Sequence, residues 1–252
     1  MTRHRILLFL FPALCAALPA LAMEPLRPGW PLPVDDTTPY AKLLFDRLEY
    51  ADDEAAGRAV WDAQFWYGGD RQRLWIETEG EDVVRNGDGG EIENLDIQYS
   101  RLVAPFWDFQ TGLGYQRLYG DGPDQDRFYV LAGLQGLAPY QYEVDLNLRV
   151  SEDGDVWTDL EAEYDLRLTQ RLILQPRLES LLAFTDARDF ESAAGLNHIT
   201  LGLRLRYEIR REFAPYLGVS WSRKLGDTAD LARAEGGDTG LLAVVAGLRL
   251  WY

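Results

Sequence analysis

Cysteine, histidine and methionine are almost missing from this chain. Its 252 residues hold one cysteine, Cys15, two histidines, His4 and His198, and two methionines, Met1 and Met23. That scarcity excludes a disulfide scaffold and a thiolate zinc site. It also excludes any metal site built wholly from soft or imidazole ligands of one chain. Basic residues are in deficit, 25 against 41 acidic, for a net charge of −16. A nucleic-acid binder needs a basic footprint, so this balance argues against one. Capped helical periodicity is lacking from Tyr40 onward, as are tandem repeats and low-complexity tracts.

What is present begins with a targeting signal. Arg3, His4 and Arg5 precede an apolar stretch from Ile6 to Leu18, and Ala20-Leu21-Ala22 has the form of a cleavage site. Residues 1–22 therefore read as a secretory signal peptide. Cleavage after Ala22 would remove the only cysteine and, with Arg3 and Arg5, deepen the negative charge. Residues 23–39 carry Pro25, Pro28, Pro31, Pro33 and Pro39 and read as an extended leader that cannot pair in a sheet.

From Tyr40 the dominant pattern has period two. Tyr140, Tyr142, Val144, Leu146, Leu148 and Val150 share one face of a strand, opposite Gln141, Glu143, Asp145, Asn147, Arg149 and Ser151. Residues 155–168 and 199–210 repeat this split. The pattern predicts about twelve strands, near 40–50, 58–67, 71–79, 92–101, 106–119, 126–137, 140–151, 155–168, 171–184, 197–210, 213–224 and 241–252. Short connections alternate with longer acidic ones at 51–57, 80–91, 120–125, 185–196 and 225–240. Long, even-numbered strands with alternating connections are the signature of an all-β, transmembrane antiparallel β-barrel over residues 40–252. A soluble barrel would be apolar inside. Here twelve strands enclose too much space for apolar side chains to fill, so the apolar rows are expected to face lipid. The row Leu242, Val244, Ala246, Leu248, Leu250 and Tyr252 fits that placement. So do Trp107, Tyr140, Tyr207 and Phe213 at the short-turn side, with Phe184 and Trp221 at the long-loop side.

Several runs resemble the copper resistance protein B family. They are Gly136 to Tyr140 (GLAPY), Leu168 to Glu179 (LTQRLILQPRLE), Gly202 to Tyr216 (GLRLRYEIRREFAPY), Tyr99 to Arg101, Pro105 to Asp108, and Asp227 to Asp230. The resemblance covers about residues 40–252. It implies an outer-membrane protein of a periplasmic copper resistance system that binds copper and works beside a periplasmic multicopper oxidase. Family members often carry a Met- and His-rich segment before the barrel; here residues 23–39 hold one methionine and no histidine.

The mature ligand inventory favours Cu(II) over Cu(I), because carboxylates are plentiful and thioethers are not. His198 sits at the expected outer mouth, close to Asp186, Asp189 and Glu191, and these four are the candidate copper ligands. The alternative is a solvated surface histidine beside an acidic loop. Glu143, Asp145, Asp159, Glu161, Glu163 and Asp165 are expected inside the barrel. There Arg177, Arg204, Arg206 and Arg210 could compensate them, giving either a rigid cross-linked lumen or a cation path. The expected role is copper resistance without catalysis: binding, sequestering or passing copper ions at the outer membrane. The alternatives are a general small porin and an outer-membrane lipid hydrolase. The latter would pair His198 with a serine such as Ser192 or Ser220, which sequence spacing does not place.

Overall fold

The computed structural model describes residues 38–53, 55–120, 123–234 and 236–252. The signal peptide, and the leader except for its last two residues, lie outside the described residues. The strands are β1 (Tyr40–Asp52), β2 (Gly57–Gly68), β3 (Gln72–Arg85), β4 (Gly90–Ala104), β5 (Trp107–Tyr119), β6 (Gln125–Ala138), β7 (Tyr142–Ser151), β8 (Val156–Glu163), β9 (Leu166–Arg167), β10 (Leu172–Ala183), β11 (Gly195–Tyr207), β12 (Phe213–Lys224) and β13 (Gly240–Trp251). Each pairs antiparallel with its neighbour, and β13 returns to pair with β1, closing the barrel. β8 and β9 are one stave, so the barrel has twelve staves. Their separation has a local cause. Tyr164 N–H donates to the Pro176 carbonyl (3.2 Å), but Pro176 has no N–H to return, and the ladder lapses for two residues.

The faces fall as the alternation predicts. On β7, Leu146, Leu148 and Val150 are exposed on the outside, while Asn147 and Arg149 are buried within. Leu201, Leu203 and Leu205 on β11 and Leu242 and Val244 on β13 continue the outer apolar belt. Aromatic residues mark its edges: Tyr140, Tyr207 and Phe213 at the short-turn end, Phe184 and Trp221 at the other. At the short-turn end, Pro105-Phe106 and Pro139-Tyr140 form tight turns in which the aromatic residue takes φ of 68° and 69°. Glycine usually fills that conformation, and a side chain there costs about 1–2 kcal/mol.

The connections differ from expectation. β3 runs on to Arg85 and β4 starts at Gly90, so the segment expected as a long acidic loop at 80–91 is largely strand. Only the loops after β10 and β12 are long. The second of these contains a helix, α1 (Gly226–Ala234), which the sequence reading did not anticipate. Its buried residues are the small Thr228, Ala229 and Ala232, so it shows no apolar stripe to detect.

Two β-bulges lie at strand ends, at Val84 on β3 and Val103 on β4, and three more within strands break the period-two rule. Register shifts fall between Phe45 and Leu48 on β1, between Ile92 and Leu95 on β4, and at the β10–β11 pairing opposite Leu196 and His198. Each turns two successive polar residues into the lumen: Asp46 with Arg47, Glu93 with Asn94, and Asn197 with His198.

Candidate functional site

The lumen divides into two cavities of about 720 Å³ each, one toward the long loops and one toward the short turns. Buried guanidiniums hold the layer between them. Arg47 on β1 binds Glu179 on β10 (3.1 Å), Asp62 on β2 (3.4 Å) and Glu79 on β3. Arg177 on β10 reaches Asp62 on the far side of the barrel (3.2 Å) as well as Glu161 (2.5 Å) and Glu179 (2.7 Å). Arg149 on β7 binds Asp159 beside it and Asp96 on β4 (3.0 Å), and Tyr129 also donates to Asp96 (2.6 Å). Arg204 on β11 grips Glu49 on β1 with two bonds of 3.0 Å, and the Tyr216 hydroxyl adds a third (3.1 Å). Bidentate guanidinium–carboxylate pairs are among the stronger polar contacts, and breaking one in a buried place is costly.

Of the arginines expected to compensate the inward acids, Arg177 and Arg206 do so close by, Arg206 through Asp165 (2.6 Å). Arg204 instead serves Glu49 across the lumen. Arg210 lies in the turn after β11, exposed, because β11 ends at Tyr207 rather than near residue 210.

The outer cavity carries the candidate metal ligands. His198 lines it, together with Glu91, Glu93, Glu191 and Asp238. Glu91 accepts from the Gln116 amide (2.7 Å). Glu93 has neither an ion pair nor a hydrogen bond among the described residues. Glu191 is bound to Lys224 (2.8 Å). Asp186 accepts from the Ala194 N–H (2.8 Å), and neither it nor Asp189 lines the cavity. The structure therefore brings His198 and Glu191 to one space and leaves the other two carboxylates on the loop outside it. Among the described residues, no three His, Cys, Asp or Glu side chains are grouped to hold a metal ion. Ser192, Ser220 and Ser222 line the same cavity, but none is hydrogen-bonded to His198 among the described residues.

The long loops are stitched over this cavity. Asn197, the bulge residue beside His198, is 3% exposed. With its amide turned so that every partner is satisfied, it donates to Ala193 O (2.6 Å), Gly195 O (3.1 Å) and Thr228 Oγ1 (3.1 Å) and accepts from Ser192 Oγ. That ties the loop after β10 to α1. Arg127 is stacked between Trp157 (3.9 Å) and Phe190 (4.0 Å), drawing the same loop onto the barrel wall. On the loop after β1, the Ala56 N–H (2.6 Å), the Ala55 N–H (3.0 Å) and Arg58 (2.8 Å) all donate to Asp53, holding its carboxyl below the usual range.

Comparison with known proteins bears on what this lumen serves. Residues 39–252 match the family model for the copper resistance protein B precursor, CopB. The chain belongs to the copper resistance protein B family. Copper resistance protein B of Escherichia coli is 38% identical over 210 residues, covering 83% of this chain and 69% of that protein. The copper resistance protein B homolog of Pseudomonas syringae pv. tomato is 36% identical over 221 residues, covering 87% and 72%. The NanC porin structure superposes with a TM-score of 0.53 at 9% identity, over 84% of this chain and 99% of that one. At that identity the likeness is one of fold, and the fold is an outer-membrane barrel. Membership in the copper resistance protein B family thus rests on nearly all of the described barrel.

Proposed function

We propose that this barrel supports copper tolerance from the outer membrane of a Gram-negative cell, by holding Cu(II) in its outer cavity. The observation that carries this is that His198 on β11 lines the same cavity as the free Glu93 carboxylate and the amide-held Glu91, which face it from β4 on the opposite side. Imidazole and carboxylate oxygens suit Cu(II), and the acidic outer loops raise the local cation concentration. Asp186 and Asp189 act in that gathering, and Glu191 joins His198 when Lys224 releases it. Copper is cargo here, and no covalent step is involved.

The arginine layer favours holding over free passage. Arg47, Arg149 and Arg177, with the carboxylates they bind on facing staves, put a cross-linked layer of side chains across the path from one cavity to the other. A general small porin would need that path open. The chain is exported with cleavage after Ala22, which leaves residues 23–39 as a leader before the barrel. The periplasmic multicopper oxidase implied by the family would meet the barrel at its short-turn end.

Purified barrel titrated with Cu(II) should bind modestly, and more weakly in acid, since both ligand types must be deprotonated. His198→Ala and Glu93→Gln should each weaken binding while the barrel still runs faster unboiled than boiled on detergent gels. A deletion strain should lose copper tolerance and regain it with the parent gene but not with the double variant. Unchanged titration in both variants would remove the outer cavity from the account.

A further inference from the structure

Exposed arginines without an ion pair gather at one end of the barrel: six lie at the short-turn end, and two, Arg188 and Arg223, at the outer end among the described residues. Near the outer loops, Arg58, Arg85, Arg117 and Arg233 are each paired with an aspartate. At the short-turn end Arg71, Arg101, Arg167, Arg171, Arg210 and Arg211 are all exposed, and none of their guanidiniums has an ion pair or hydrogen bond among the described residues. Asp70, Glu208 and Glu212 share this rim, so the rim is basic but not purely so.

Placement says what these guanidiniums meet. Each lies at the short-turn edge of the outer apolar belt: Arg71 after Tyr67, Arg101 between Tyr99 and Val103 on β4, Arg167 and Arg171 flanking Leu168, and Arg210 and Arg211 after Ile209. Those apolar residues are about half exposed on the lipid face. The arginines form two groups. The Leu102 N–H donates to the Arg71 carbonyl (3.0 Å), joining the turn before β3 to the end of β4. The Glu208 N–H donates to the Arg171 carbonyl (2.8 Å), joining the turns on either side of β10 and β11. The groups sit on opposite sides of the stave order. A folded protein partner would need one contiguous patch, whereas lipid surrounds the barrel and meets both groups at headgroup depth.

We propose that this rim is a binding surface for the phosphates of anionic phospholipids in the periplasmic leaflet. Planar guanidiniums bind phosphate in bidentate fashion. The proposal rests on the outer-membrane reading given above, but not on copper.

The test uses the full mature chain folded into vesicles of phosphatidylcholine, with tryptophan fluorescence quenched by brominated phosphatidylglycerol or brominated phosphatidylcholine. The parent should prefer phosphatidylglycerol, and the preference should fade at high salt. Changing Arg167, Arg171, Arg210 and Arg211 together to Gln should reduce it by at least about fivefold, the effect of one basic side chain at an anionic surface. The same four changed to Lys should keep part of it. If that variant does not fold, Arg71→Gln with Arg101→Gln tests the other group. Equal quenching by the two lipids in a parent that is folded by gel mobility would overturn the proposal. A chain that inserts into neither vesicle would instead overturn the outer-membrane reading beneath it.

Discussion

Neighbouring residues on one strand of this barrel answer to different physics. On β7, Leu148 faces lipid and needs only to be apolar and of tolerable size. Arg149, next to it, must meet Asp159 on the adjoining stave and Asp96 three staves away. The outer face is specified by its surroundings, residue by residue and interchangeably. The inner face is specified by partners, and those partners come from distant parts of the chain.

The sharpest way to break that contrast is to orphan a lumen charge. Glu49→Ala leaves Arg204, 4% exposed, without its carboxylate, and should cost about 3–5 kcal/mol in urea unfolding of the reconstituted barrel. Glu49→Leu with Arg204→Leu should recover most of the loss. If the single change costs less than about 1 kcal/mol, the lumen is not held by pairs of this kind. On the outer face, Leu203→Arg or Val244→Arg should cost about 2–4 kcal/mol near mid-membrane, whereas Glu93→Arg, on the open wall of the outer cavity, should leave stability near the parent value. Equal costs at the two sets would erase the distinction between faces. Gly247 tests how tightly the inner face is fitted. A Cβ there would lie 2.5 Å from the Tyr216 oxygen and 2.7 Å from Glu49 Cβ, so Gly247→Ala should cost about 1–3 kcal/mol by overpacking.

The smallest effect lies outside the wall. The donors around Asp53 depress its carboxyl, so the order they give the loop after β1 is complete above the usual carboxylate range. It is lost as pH falls through that range and then through the lowered value. Amide resonances of Ala55 and Ala56 should titrate in that acid window, and in Asp53→Asn they should not. A flat response in the parent would mean that the loop keeps its shape without the charge.

The wall was legible because the alternation that buries a strand is local. Twelve staves, their order along the chain and their faces follow from a pattern that any ten residues display. Most strand ends agree with expectation to a few residues, and the largest departure, at Arg85, comes where acidic residues continue a strand that the sequence reads as loop. The lumen was legible only in part. That Asp159, Glu161 and Glu163 point inward follows from parity. That Arg204 reaches Glu49 depends on barrel curvature and on the bulge in β1, neither of which leaves a mark in composition. The outer cover was not legible at all, since α1 is anchored by small residues and by the amide of Asn197. His198 was identified by its rarity; Glu93, which faces the same cavity from β4, was hidden by the bulge that turns it inward with Asn94.

The bulge at Asp46 has a consequence for how this chain can change length. On either side of it the strand alternates normally, and the extra residue is what lets Asp46 and Arg47 both point inward. Away from this bulge, removing one residue from the middle of β1 would turn the remainder of the strand inside out, sending charges to lipid and leucines to the lumen. Removing Asp46 would not. Phe45 and Arg47 would then simply alternate, and every residue before and after would keep its side, at the expense of the contacts Asp46 makes with Arg249 and Arg177. The same holds at Glu93 or Asn94 and at Asn197. Single-residue deletions that leave the wall in phase should therefore fall at these three places and at the strand-end bulges of Val84 and Val103, and elsewhere the staves should gain or lose residues only in pairs.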